Sequence, residues 1–193
     1  MTAPRFDLAS RATPPYTKYG VTLCRLEQAD LELVRFWRNS DAIAKVMIYR
    51  ETITPEMQAA WFASIDNANN FYSLIIYDGV PIGMSHVKNV DHETMTGEGG
   101  MMIWSLDHQN SLVPFMAALA GTDWMFFVYG LKRLEARVLS SNKRALRYNR
   151  ALGYVFDGAD NGGEVLIGHL TPELYSAKVD PIRPILLAEA ESR

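Results

Sequence analysis

His86 sits in the stretch Gly83-Met-Ser-His-Val87, and an imidazole changes charge near neutral pH, which suits a base acting directly or through water. Glu98 and Glu135 stand in two later segments with strand character, where a carboxylate can relay a proton through water. The run Trp37-Arg38-Asn39 offers a ring for stacking and a guanidinium for phosphate, as in binding a sugar or its nucleotide. Each group also has a plainer use: a satisfied interior histidine, a solvated strand face, or a core tryptophan at a helix end. Asp91, His92 and Glu93 are adjacent and cannot converge on one ion, so no metal is expected. Cys24 is the one cysteine; it excludes an internal disulfide framework, has no motif around it, and is expected to pack in the core.

The elements that position these groups follow from periodicity and punctuation. Residues 1–18, with Pro4, Pro14 and Pro15, read as a loosely held arm before one domain over 19–193. A strand is expected over Val21 to Leu26. Asp30 can cap a helix with Leu33, Phe36 and Trp37 on one stripe. A second helix is expected with Thr54 as N-cap, Pro55 at the first helical position, and Met57, Trp61 and Ile65 in line. Phe71 to Tyr77, Asp78-Gly79 and Pro81 to Val90 read as a hairpin of firm register.

A strand over Glu98 to Leu106 carries Gly99-Gly100, the mark of a bulge or a close backbone approach. A helix is expected from about Ser111 to Tyr129, stopped by Gly130. Lys132 to Leu139 alternates as a half-buried strand. Asn142 can cap a short helix ending in Leu152-Gly153, after which Tyr154 to Phe156 pairs with Glu164 to His169. The tail with Pro181 and Pro184 is expected to be peripheral. Together these elements imply an α/β (α+β) domain with a mixed sheet.

With 193 residues, the chain can close a hydrophobic core without staples. Its 19 basic and 22 acidic residues give a net charge of -3, which argues against nucleic acid as a partner. No run of eighteen apolar residues and no signal pattern is present, so neither a membrane partner nor export is expected, and the cytoplasm is the expected compartment.

The order of elements, with Leu131-Lys-Arg-Leu-Glu-Ala-Arg-Val-Leu-Ser-Ser-Asn142-Lys-Arg-Ala145 and Leu152-Gly153-Tyr154, resembles the GNAT acetyltransferase superfamily. Within it, Trp37-Arg38-Asn39, Met47, Phe71-Tyr72, Ile82-Gly83 and Asn89-Val90-Asp91 look like the branch that acetylates nucleotide-linked amino sugars, including pseudaminic-acid pathway enzymes. The resemblance implies a mixed twisted sheet with splayed central strands flanked by helices, and acetyl-CoA as co-substrate. It implies cofactor contacts at Ile103, Trp104 and Ser105, a pyrophosphate seat at Asn110, Ser111, Leu112 and Val113 with Ser111 capping the helix, and a contact from Asn142. Trp37, Arg38, Asn39, Met47 and Asp91 become the expected acceptor site for a small-molecule amine. His86 is expected to face that acceptor, and a homodimer is an assembly common in such folds.

The chain departs from the family pattern in three places. The loop His108-Gln-Asn-Ser-Leu-Val113 contains no glycine. Relatives often carry the tyrosine that protonates the leaving thiolate seven residues after the equivalent of Asn142, which is Asn149 here, with Tyr148 one residue earlier. Where they tend to carry a glutamate, Arg137 stands, with Glu135 two residues back. The expected function is therefore N-acetylation of an amino sugar by direct attack on the thioester. The alternatives are acetylation of a protein N-terminus or another small amine, and a GNAT-fold binding module without catalysis.

Overall fold

The computed structural model describes residues 6–191, whose strands form one eight-stranded mixed sheet. The strands β1 (Tyr16–Lys18), β2 (Val21–Arg25), β3 (Phe71–Tyr77), β4 (Val80–Asp91) and β5 (Thr96–Ile103) run antiparallel to one another. The strand β6 (Arg133–Leu139) is parallel to β5, and the hairpin β7 (Val155–Asp160) and β8 (Val165–Leu170) closes the far edge on it. The parallel ladder is short: it pairs only Thr96 with Arg133, Gly97 with Leu134 and Glu98 with Glu135. Beyond it β5 follows β4 to Ile103 while β6 follows β8 to Leu139, so the two central strands part.

The period of two along a strand builds a core on each face. Leu74 and Ile76 of β3 join Cys24, Met84, Met102 and Trp104 under α1 (Leu31–Arg38), α2 (Asp41–Ala44) and α3 (Pro55–Ile65). Ile75 and Tyr77 face the other way, under α4 (Val113–Asp123), which continues through a π-helical turn over Trp124–Val128. Local signals act as expected where the caps are made. The Thr54 hydroxyl accepts from the Met57 N–H, and the Asn142 amide oxygen caps α5 (Lys143–Leu152) by accepting from Ala145 N–H. Asp78 and Gly79 turn the hairpin with φ of 49° and 75°, and its register shifts once, between Ile75 and Ile76.

Four expectations are corrected. Asp30 does not cap α1; its carboxylate is held by the Arg11 guanidinium and the Glu27 N–H. The arm is tied down by that pair and by β1, although its residues 1–5 lie outside the described residues. The helix expected from Ser111 begins at Val113, because the preceding turns are closed on Ser105, Leu106 and His108 carbonyls. The tail is not peripheral: α6 (Pro172–Val179) and α7 (Arg183–Glu191) place Tyr175, Val179 and Leu186 in the core, while Arg183 reaches the buried Asp123. Among the described residues no helix is long and apolar enough to cross a membrane.

Candidate active site

The parting of β5 and β6 leaves a cavity of about 1300 Å³. Its walls come from β4, β5 and β6, from α1 to α3 on one side, and from one face each of α4 and α5 on the other. Of the residues expected to meet the acceptor or do chemistry there, Arg38, Met47, His86 and Glu98 line it. On the expected cofactor side, Ile103, Asn110, Ser111, Asn142 and Tyr148 line it.

The other expected site residues are spent elsewhere. Trp37 stacks on Trp104 with centroids 6.0 Å apart and planes 4° apart, and the Trp104 indole N–H donates to the Pro81 carbonyl, so both rings are core. The backbone N–H groups of Trp104 and Ser105 donate to Ile82, and the Ser105 hydroxyl pairs with His108. Asn39 clamps both backbone groups of Ile53. Asp91 is exposed and accepts from the N–H groups of Glu93 and Thr94, ordering a turn. Glu135 is half exposed beside Arg133, Leu112 points outward and Val113 is buried.

His86 sits in a line of cross-strand neighbours, with Tyr72 of β3 on one side and Gly100 of β5 on the other. The imidazole stacks on Tyr72 at 4.9 Å. Gly100 is the close backbone approach that the paired glycines signalled: a Cβ there would lie 2.5 Å from the ring. Burial, and then the positive charges of Lys88 and Arg38, push the His86 pKa down to about 3. The titration near neutral pH expected of a free imidazole is therefore lost, and the ring stays neutral. Glu98 is paired with Lys88 at 3.0 Å, and burial together with the Glu98 charge pushes the Tyr72 phenol up to about 12.

At the other end, the loop before α4 is wound by bonds from Gln109 Nε2 to the Ile103 carbonyl and from Ser111 N–H to the His108 carbonyl. The Ser111 hydroxyl accepts from Val113 N–H, so it does supply a helix-start contact although α4 begins two residues later than expected. Among the described residues the N–H groups of Asn110 and Leu112 have no protein acceptor, which leaves donors beside a helix start for an anion. The Arg144 guanidinium reaches across from α5 to the Gln109 carbonyl. The Tyr148 hydroxyl is buried without a partner among the described residues, and burial drives its pKa far up.

Tyr72, Tyr154, Gln109 and Arg144 also line the cavity but are not among the site residues expected from the sequence, although Tyr72 and Tyr154 stand in the motifs that carry the resemblance. Tyr154 presents its hydroxyl to Gly99, where the strands part. Its place after Leu152-Gly153 was the available signal. Tyr72 could have been found from the period of two on β3, which sets it beside His86.

Solved structures share this architecture at low identity. A domain from Methanocaldococcus jannaschii aligns with TM-score 0.68 and 20% identity over 78% of this chain and 97% of its own. Spermidine N-acetyltransferase from Vibrio cholerae, solved in complex with CoA and spermine, aligns with TM-score 0.69 and 17% identity over 82% of this chain and 99% of its own. A dodecameric form of that enzyme aligns with TM-score 0.64 and 16% identity over 85% of this chain and 99% of its own. No curated protein matches the chain. Residues 21–155 match the family described as Acetyltransferase (GNAT) domain. That stretch takes in the parted strands, the loop before α4 and the capped α5, and the chain belongs to the GNAT acetyltransferase family.

Proposed function

We propose that the protein transfers an acetyl group from acetyl-CoA to the amine of a small molecule by direct attack on the thioester. The observation that carries this is the parting of β5 from β6 after Glu98 and Glu135. Past that point the edge of β5 facing β6 has no strand partner, so an amide-bearing arm such as pantetheine can pair with it. The free donors of Asn110 and Leu112 and the start of α4 suit its pyrophosphate. CoA also appears in the complex of the Vibrio cholerae relative.

In the reaction, the amine nitrogen bonds to the thioester carbonyl carbon, the carbon–sulfur bond breaks, and the thiolate takes a proton. The amine loses one proton. Tyr148 suits the thiolate by position: its hydroxyl is buried in the cavity wall with no acceptor among the described residues, so it is free to donate to the departing sulfur, although burial raises its pKa and weakens it as an acid. Neutral His86 suits the amine as a hydrogen-bond acceptor that orients its lone pair, with Glu98 the carboxylate from which water carries the proton away. The finer reading, a nucleotide-linked amino sugar as acceptor, keeps Arg38 and Met47 from the expected set, since Trp37 and Asn39 are committed to packing. A homodimer belongs to the same proposal, with sedimentation as its readout.

A second reading, binding without catalysis, is favoured by Asn149 and Arg137 standing where relatives carry the tyrosine and the glutamate. Release of free thiol from acetyl-CoA with a panel of amines, beside calorimetric titration of CoA, separates the readings. Turnover with at least one small amine is expected. CoA binding without turnover on any amine selects the binding module, and no heat at millimolar CoA removes both readings.

A further inference from the structure

The acceptor side of the cavity holds a cation with nothing to pair with. Arg38 closes α1 and lines the cavity, and its Nη1 is buried with no hydrogen-bond partner among the described residues. Leaving a guanidinium nitrogen desolvated and unpaired is costly, so such a group is retained where something else supplies the acceptor. Burial holds the Arg38 pKa below its ordinary value, only partly offset by Tyr49. The group nonetheless keeps its charge at any physiological pH.

The cavity lining offers Arg38 no free counter-charge among the described residues. Its cationic lining residues are Arg38, Lys45, Lys88, Arg137 and Arg144, and its one carboxylate is Glu98. Glu98 is already held by Lys88, and Arg137 is satisfied outside by Asp160. Arg144 stands at the cofactor end on Gln109, whereas Arg38 belongs to the α1 side. Arg38 and His86 line the same cavity, so one acceptor can place an anionic group on Arg38 and its amine at the ring. A polycation entering here would meet unpaired positive charge and no free carboxylate.

Resting on the acetyl-transfer reading above, we infer that Arg38 seats an anionic group of the acceptor, so that the substrate carries a phosphate or carboxylate as well as its amine and polyamines are refused. The planar guanidinium can take either oxyanion through two parallel bonds. Phosphate and carboxylate share this chemistry, and paired acceptors tell them apart.

The test compares glucosamine 1-phosphate with glucosamine, alanine with alaninamide, and spermidine, in wild type, Arg38→Met and Arg38→Lys. Wild type is expected to favour the anionic member of at least one pair, with KM lower by about tenfold to a hundredfold, the range for a charge-assisted bond. Arg38→Met should erase that ratio by raising KM for the anionic member towards that of its neutral partner, and Arg38→Lys should restore part of it. A ratio in the first pair assigns phosphate, and one in the second assigns carboxylate. Preference for spermidine or for neutral amines, or a ratio unchanged in Arg38→Met, overturns the inference. If no amine is acetylated, calorimetry of glucosamine 1-phosphate and alanine with the CoA-loaded protein still decides: binding lost in Arg38→Met upholds the anion seat although acetyl transfer has failed, and no binding to wild type overturns it.

Discussion

Gly100 lies directly opposite His86 across the β4–β5 ladder, and a Cβ on it would stand 2.5 Å from the imidazole Cε1 and 2.6 Å from Nε2. The missing side chain makes the seat for the ring, and Tyr72 closes the other side by stacking. Gly100→Ala should therefore push the ring from its place without breaking the sheet. The atoms that must move are the far end of a side chain, so the stability loss should stay near the cost of an off-rotamer torsion, about 0.5–1.5 kcal/mol. Turnover should fall by about tenfold or more, because small misplacements at a reacting centre are expensive. Thermal melting read beside thiol release checks the pair, and unchanged turnover would show that the position of His86 is immaterial.

The lowered pKa of His86 makes a second, independent prediction. The folded ring protonates near 3, against the ordinary 6.5, so between those values the unfolded chain binds more protons and stability declines as pH falls. Relative to wild type, His86→Gln should gain Tm as pH drops below 6.5, by about 3 °C per pH unit at most. The acid limb of kcat/KM, by contrast, should be the same in both proteins, since His86 does not titrate there. His86→Ala should still lower turnover, on the order of a hundredfold, if the neutral ring orients the amine. An acid limb that vanishes in His86→Gln would mean that the ring titrates in the working enzyme.

Local rules were legible in the sequence wherever a residue's neighbours in the chain decide its conformation. Thr54, Asn142, Gly153 and the Asp78-Gly79 turn all act as their types and positions predict. The alternation along β6 likewise correctly separates Leu134, Ala136 and Val138 from the exposed positions. What failed depended on distant partners. Asp30 looks like a helix cap until Arg11, 19 residues earlier, claims its carboxylate. Trp37 and Asn39 look available for a sugar until Trp104 and Ile53 occupy them. Near-neutral chemistry at His86 was read from an isolated imidazole, whereas its burial against Tyr72 and Gly100 is tertiary. The tail looked peripheral because Asp123, to which Arg183 reaches, lies 60 residues away.

Tyr148 offers a prediction in which stability and activity move in opposite directions. Its hydroxyl is buried and has no partner among the described residues, and its ring meets that of Phe115 edge-on with centroids 5.8 Å apart. Removing the oxygen leaves the packing and takes away an unsatisfied polar atom, so Tyr148→Phe should be neutral or more stable by about 1 kcal/mol. If the hydroxyl gives its proton to the departing thiolate, turnover should nevertheless drop on the order of a hundredfold with CoA affinity unchanged. Calorimetry, melting and thiol release on one preparation read all three. Wild-type turnover in Tyr148→Phe would assign the thiolate proton to water.

Asp123 supports the fold away from the cavity. Fully buried, it accepts from Lys18 at 2.5 Å, Tyr19 at 2.7 Å, Tyr175 at 2.8 Å and Arg183 at 2.7 Å, tying β1, α4, α6 and α7 together. Burial acts to raise its pKa, but the bonds from Lys18, Tyr19, Arg183 and Tyr175 outweigh this and hold it below the ordinary 3.8. The unfolded chain thus binds the proton first, and the stabilisation is complete above pH 3.8 and lost as pH falls through the lowered folded value. Asp123→Asn leaves two cations facing a neutral amide, and should cost about 3–5 kcal/mol, or roughly 10 °C in Tm. The variant should also lose the decline in stability that protonation of Asp123 contributes below pH 3.8, while the decline set by His86 between about 3 and 6.5 persists. Because Asp123 does not line the cavity, CoA affinity at 25 °C should be unaffected in the folded variant. An acid-unfolding curve identical to wild type would show that the carboxylate is not the group that titrates.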